Sequence, residues 1–545
     1  MKRRILAAVL TASAWAQQTA PERVGVGIIE RRLRLDEALQ LALRNNIELD
    51  IERTNVSNAQ LAVDAARGAF DGVFRWQPGY ERRNTPTSSL LFGADGKLAE
   101  NFHNQNFTFV QRTPWHGGQV QASFLNNRTA TTNPFVGLNP TVTSQFSLLY
   151  TQPLMRNRLI DRERAEIVVR SKNAEVTGVD LELRVVDVVV RTEMAYWDLV
   201  AARQDVTVKA DSVAVAREQD ARNRRMIESG TLAPVEQSAS VAELERRLDT
   251  YHAAIGVVTE TENALKTLIA SGREDPIWKD VIIPVDENTS ETPERDLGEA
   301  VTRAISKRPE LRQNALRKQV NDVQADLAKD QLRPQVNLVG GYVSTGLAGS
   351  QSSTVNPFTA SSLVTAARLN ELSQLAGLAP LPPAGGTGVP ASLVGGYGSA
   401  VSNLFGGSYQ SVQVGLSIDW NVRNRTAEAT LGQTAVAERR LKLQRAQMEQ
   451  GIEAQVRNSL QALETARQRI QASEASVKAA KEKLDSETRL YQSGESTNFF
   501  VLTRQNEYAD SLRRLVVSRL DYNKAVARLH VALGTTLETH QVTVR

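Results

Sequence analysis

The chain has 545 residues, with 65 lysines and arginines against 61 aspartates and glutamates, a formal net charge of +4, and no cysteine. So even a balance leaves no concentrated basic face for nucleic acid. The lack of cysteine excludes disulfides, thiolate metal sites, thiol catalysis and a lipid anchored on cysteine. Five scattered histidines (103, 116, 252, 530 and 540) offer little to a metal centre or a catalytic triad, so the chain is expected to have no catalytic, metal or cofactor site and to act through its shape.

At the start, Lys2, Arg3 and Arg4 precede the apolar run Ile5 to Leu10. Ala14-Trp15-Ala16 then supplies small residues at signal-peptidase spacing, so residues 1–16 read as an export leader. Beyond it no run of about 18 apolar residues occurs. A membrane role therefore requires a β-barrel.

Next comes Leu35-Asp36-Glu37-Ala38-Leu39, a short helical motif repeated 262 positions later as Leu297-Gly298-Glu299-Ala300-Val301; the same offset pairs Asn46 with Arg308 and Leu49 with Leu311. After it the composition shifts. Thirteen of the 29 aromatics lie between Phe70 and Tyr150, and residues 101–150 carry only Arg112 and Arg128 as full charges. Alternation in Gln105 to Phe109 and in Ser144 to Tyr150 predicts strands. One strand is expected at about 70–84 and another at 141–153. A further hairpin, Phe107 to Val110 with Val120 to Phe124, is expected without a defined place, to lengthen a barrel or cap it.

Residues 156–227 contain no proline, and at 1.5 Å per residue they would make a helix of roughly 100 Å. Leu199, Val206, Val213 and Ile227 keep a seven-residue register with Asp220 as the one polar exception, which predicts supercoiling against neighbours. The marker Met226-Ile227-Glu228-Ser229-Gly230-Thr231 ends this run and recurs 264 positions on as Leu490-Tyr491-Gln492-Ser493-Gly494-Glu495. Gly230 and Gly494 are read as helix-ending turns with positive φ. A second helix follows each, with Leu244, Tyr251, Val258 and Leu265 matching Tyr508, Leu515, Tyr522 and Leu529.

Two markers holding nearly one offset imply a tandem duplication: repeat 1 over 30–270, a proline-broken linker over 271–296, and repeat 2 over 297–535 on the same plan. The second copy is expected to have strands at 334–345 and 410–421, a long loop over 345–408, and a proline-free helix over 423–493. The fold class is thus mainly α with transmembrane β, built from long helical hairpins plus two strands per repeat. Four strands cannot close a barrel, and open edges in lipid leave backbone groups unpaired, so copies must assemble.

These residues carry a family resemblance. Leu35 to Asn46, its partner Leu297 to Leu311, Thr151-Gln152-Pro153-Leu154 and the two glycine tips, in order and in duplicate, resemble the TolC-like outer-membrane efflux proteins over nearly the whole mature length. The resemblance implies a homotrimer whose twelve strands form one barrel in the outer membrane, with helices continuing it through the periplasm. It also implies a periplasmic adaptor and an inner-membrane transporter as partners, in tripartite efflux or type I secretion. Conduction would be passive; no GxxxxGK[ST] phosphate loop is present. Acidic rings that select cations in similar proteins would fall at Phe500 and Thr503, neither acidic, so Phe500 is a candidate apolar constriction against packing between helices. Glu236, the first-repeat counterpart, keeps an acid. Arg222, Arg224 and Arg225 are candidates for adaptor contacts or tip ion pairs, against a solvated face. The alternative function is a coiled-coil stalk or filament subunit, which has no need of strand pairs at matched places. No G-x-S-x-G or HExxH suggests an enzyme.

Overall fold

The computed structural model describes residues 23–27, 29–88, 96–231, 233–286, 296–354, 357–381 and 388–543; the leader expected at 1–16 lies outside them. In chain order come β1 (Glu30–Leu33), α1 (Leu35–Asn45), α2 (Ile47–Arg67), β2 (Val73–Pro86), β3 (Lys97–Arg112), β4 (Gln119–Thr131) and β5 (Leu138–Pro153). Then follow α3 (Arg162–Glu228), α4 (Val235–Ile269), β6 (Val281–Pro284), α5 (Leu297–Lys307), α6 (Pro309–Gln331) and β7 (Gln335–Gln351). The chain ends with α7 (Pro357–Leu375), α8 (Tyr397–Phe405), β8 (Gln410–Asp419), α9 (Arg425–Gln492), α10 (Asn498–Leu533) and α11 (Thr536–Thr539). No described helix is long and apolar enough to cross a membrane.

The chain divides into two compact units, one of residues 1–58, 174–317 and 441–545, the other of 59–173 and 318–440. The first is mainly helical. The short helices start where sequence chemistry says they should. The Glu37 carboxylate accepts from the Arg34 amide at 3.3 Å, and that of Asp296 from the Glu299 amide at 2.8 Å, each meeting a donor that the first turn leaves open. Ala38, Leu39 and Ala42 of α1 are buried with Val188, Val189, Leu199, Leu265 and Ile269. Ala300 and Ala304 of α5 are buried with Val456, Val526 and Leu529. Each large aliphatic side chain so buried contributes about 1.5–3 kcal/mol.

The stretch expected as a linker has structure of its own. β6 pairs in parallel with β1, and Lys266 of α4, fully buried, donates to the carbonyls of Trp278 at 3.1 Å and Asp280 at 2.6 Å. Lys266 shares the carboxylate of Glu262 with Arg23 and Arg203, at 2.8, 2.9 and 3.5 Å. Tyr196 and Trp197 are core residues; the Tyr196 hydroxyl donates to Asp286 at 2.8 Å, and burial pushes its pKa up.

In the second unit, six strands form one sheet in the order β2-β3-β4-β5-β7-β8, every neighbouring pair antiparallel. This corrects the expectation of four strands. The hairpin whose place the sequence left open is β3–β4, and it lies inside the sheet between β2 and β5. The two halves of the chain are therefore unequal, with four of these strands in the first and two in the second. The stretch 345–408, expected as one loop, begins as the end of β7 and carries α7 and α8. Ala400 and Leu404 of α8 are buried against the sheet, where Ser344 donates to the Leu404 carbonyl at 2.6 Å. Gly346 permits this approach, since a Cβ there would lie 1.9 Å from the Ala400 carbonyl oxygen.

Candidate functional site

Two regions can do something chemically: the ends of the helical hairpins and the faces of the sheet. At the hairpin ends, α3 stops at Gly230 with φ +76° and α9 at Gly494 with φ +82°. Thr231 donates its amide to the Met226 carbonyl at 2.8 Å, and Glu495 to that of Leu490 at 2.9 Å. These six-to-one bonds close the last turn and require the left-handed residue between them, which glycine takes without a Cβ penalty.

Beside the turns lies a buried polar seam. Gln219, Asn223 and Asn498 are buried, as are Asp220 and Ser240. The Gln219 amide group donates to Asn223 and Asn498, both at 2.9 Å, and Asn223 donates to the Ser240 hydroxyl at 2.5 Å. Asn498 in turn donates to the Glu236 carboxylate at 3.4 Å. The seam joins the α3–α4 hairpin to the start of α10 through amides, so nearly every partner is neutral. Asp220 accepts from Gln237 at 2.7 Å and pairs with Arg224 at 3.0 Å. It was the one polar residue in an apolar seven-residue series, and that interruption is the sequence signal that could have located the seam. Burial pushes the Tyr491 hydroxyl pKa up, against the lowering effect of Arg222; that hydroxyl lies 3.8 Å from the Met226 sulfur.

A second cluster fastens the hairpins further along. Arg247, 3% exposed, binds Glu243 at 2.7 Å, the Ser212 carbonyl at 3.0 Å, Gln505 at 3.2 Å and Asn506 at 3.1 Å. One guanidinium thus ties α4 to α3 and α10. Burial would raise the Glu243 pKa, but hydrogen bonds from Arg246 and Arg247 and their charges outweigh it and hold the carboxyl down at about 2.

The other candidate residues fall around this frame. Phe500 is 48% exposed and meets Phe499 edge to face at 5.7 Å, so within one chain it is not packed between helices. Thr503 returns its hydroxyl to the Phe499 carbonyl at 2.8 Å. Arg222 pairs with Glu218 at 3.2 Å, whereas Arg225 is exposed.

The sheet has two unlike faces, and register assigns them, because directly paired residues share a face. One face carries Phe74 and Trp76 of β2, Phe107 and Phe109 of β3, Ala122 and Phe124 of β4, and Phe146 and Leu148 of β5. It continues through Leu338 and Tyr342 of β7 to Val412, Val414, Leu416 and Ile418 of β8. Phe107 stacks on Trp76 at 6.3 Å and on Phe124 at 6.4 Å, a row of rings across three strands. The opposite face carries Arg75, Gln77, Asn104, Asn106, Ser123, Asn127, Gln145, Ser147, Gln413 and Ser417. Where α8 covers the first face its residues turn small, as at Ser144, Ser344, Gly346 and Ala348. One face apolar and the other polar, alternating along long antiparallel strands, is also the pattern that a lipid-spanning barrel wall shows. The outer strands β2 and β8 are exposed along their whole length.

Solved outer-membrane channels share this fold. The chain superposes on the outer membrane channel CmeC of Campylobacter jejuni with TM-score 0.59 at 13% identity, covering 92% of this chain and 86% of that one. It matches the outer membrane protein VceC of Vibrio cholerae with TM-score 0.58 at 14% identity, over 92% and 96%. With the open state of the MtrE outer membrane channel of Neisseria gonorrhoeae the TM-score is 0.59 at 15% identity, over 92% and 89%. No curated protein matches the chain by sequence. Residues 385–535 match the family described as outer membrane efflux protein. The chain thus resembles the TolC-like outer-membrane efflux proteins, by sequence over residues 385–535 and by fold over 92% of its length.

Proposed function

We propose that the protein is the exit duct of a tripartite efflux or type I secretion system. Three copies form one barrel in the outer membrane, and their helical hairpins continue it through the periplasm. An inner-membrane transporter supplies the energy, a periplasmic adaptor contacts the hairpin ends near Arg222, Arg224 and Arg225, and substrates pass without chemical change. Glu236, Phe500 and Thr503 line the entrance. The two-faced sheet with both edges open is the observation that carries this reading, since in lipid only other copies can satisfy those edges. Apolar α9 positions left exposed in the single chain, such as Val436 and Leu443, support it. The chain is a tandem duplication in which α1 to α4 correspond to α5, α6, α9 and α10, with β3–β4 an insertion in the first copy. The test is the purified, detergent-extracted protein: a heat-modifiable trimer that conducts ions in planar bilayers is expected, and a lone subunit without conductance would refute the duct.

A further inference from the structure

We infer that the barrel of this channel has eighteen strands, closed by β8 of each copy pairing with β2 of the next, and that β3–β4 is a full-height part of its wall. The inference rests on the trimeric duct proposed above and goes beyond it in strand number and width.

Three observations carry it. First, β3 and β4 are as long as the strands around them. The ladder runs from Val73 opposite Val110, through Arg112 opposite Gln119 and Gln119 opposite Thr151, to Pro153 opposite Asn337 without leaving the sheet. Second, the hairpin continues both surfaces. Phe107, Phe109, Ala122 and Phe124 extend the apolar face, and Asn104, Asn106, Ser123 and Asn127 extend the polar one. A hairpin capping the barrel from the water would have no reason to keep a row of rings on one side only. Third, the strand count is even, so the two outer strands run in opposite directions. β8 of one copy can therefore meet β2 of the next in the same antiparallel sense, and the apolar residues Val412 to Ile418 and Phe74 to Tyr80 then fall on one continuous face. A head-to-tail contact of this kind closes into a ring.

The consequence is a wider mouth. With strands about 4.8 Å apart and tilted about 40°, eighteen strands close at a diameter of about 36 Å and twelve at about 24 Å. Equivalent backbone positions in three copies would then stand about 31 Å apart in the wide barrel and about 21 Å in the narrow one.

The chain lacks cysteine, so single labels are clean. A nitroxide on Gln145→Cys, on the polar face of β5, reports the spacing between copies by pulsed electron resonance in reconstituted bilayers. Because the label points into the lumen, both spacings shorten by about the same amount, and a main distance near ~20 Å is expected rather than the smaller value, near ~10 Å, of a twelve-strand wall. The smaller value would overturn the inference while leaving the duct, and no discrete distance between copies would remove both. A bimane on Phe109→Cys or Ala122→Cys should be quenched by nitroxide lipids as strongly as one on Leu338→Cys or Val414→Cys. Quenching at the latter pair alone would take β3–β4 out of the wall. Quenching at none of the four would remove the membrane barrel itself.

Discussion

Glu262 is 1% exposed and is the one carboxylate shared by Arg23, Arg203 and Lys266. Replacing it by alanine would leave buried cations without a counter-charge, a loss of about 3–5 kcal/mol for a broken buried pair. Glu262→Ala is expected to lower the helical melting transition well below that of Glu262→Gln, which keeps an acceptor; circular dichroism in detergent measures it. Glu243 makes a pH prediction. Its folded pKa of about 2 lies below the ordinary 4.5. The stabilisation is therefore complete above pH 4.5 and is lost as pH falls toward 2. In Glu243→Gln, the melting temperature should vary less with pH across that interval than in the unaltered chain. At this scale the sequence was partly legible. Gly230 and Gly494 could be found because a backbone requirement selects one residue type. Gln219, Asn223 and Asn498 had no signal beyond the neighbouring Asp220 interruption, because amides are usually solvated and these are buried only by the meeting of segments some 279 positions apart.

Elements were legible where a period is long. Proline-free runs placed α3 and α9 to within a few residues, and alternation placed β5. Register is another matter: which strand neighbours which depends on pairing across the chain, and local alternation is silent about it. That is why β3–β4 could be recognised as a hairpin but not located. α7 and α8 were missed because a stretch rich in Gly, Ser, Pro and Ala shows no helical period, and α8 is held by contact with the sheet. Gly346 tests that contact. Gly346→Leu should force α8 off β7, costing about 1–3 kcal/mol as overpacking does. Limited proteolysis should then cut faster around residues 388–396 while the heat-modifiable trimer persists; an unchanged digestion pattern would show that α8 is not seated as described.

For the whole molecule, the absence of cysteine and the few scattered histidines turned the reading towards shape, and the repeated motifs pointed to an assembled tube. The strand number needed coordinates. The entrance makes one further prediction. Asn498 holds both Gln219 and Glu236, and each such hydrogen bond is worth about 1 kcal/mol net. On the duct reading, Asn498→Ala should loosen the hairpin ends and raise mean single-channel conductance without shifting the main melting transition. Phe500→Ala should also raise it if the ring narrows the opening. Unchanged conductance in both would place the constriction elsewhere.

In the closed barrel inferred above, β8 would offer only ten residues to a neighbouring copy, and its ladder bonds there would come from peptide groups, which every amino acid supplies alike. The backbone ladder of such a seam cannot read identity, and cross-strand side-chain pairs add only about 0.2–1 kcal/mol each. Two diverged channels made in one cell would present interchangeable edges, so the sorting of like with like must fall to side chains elsewhere, on the helical hairpins, where partners differ residue by residue.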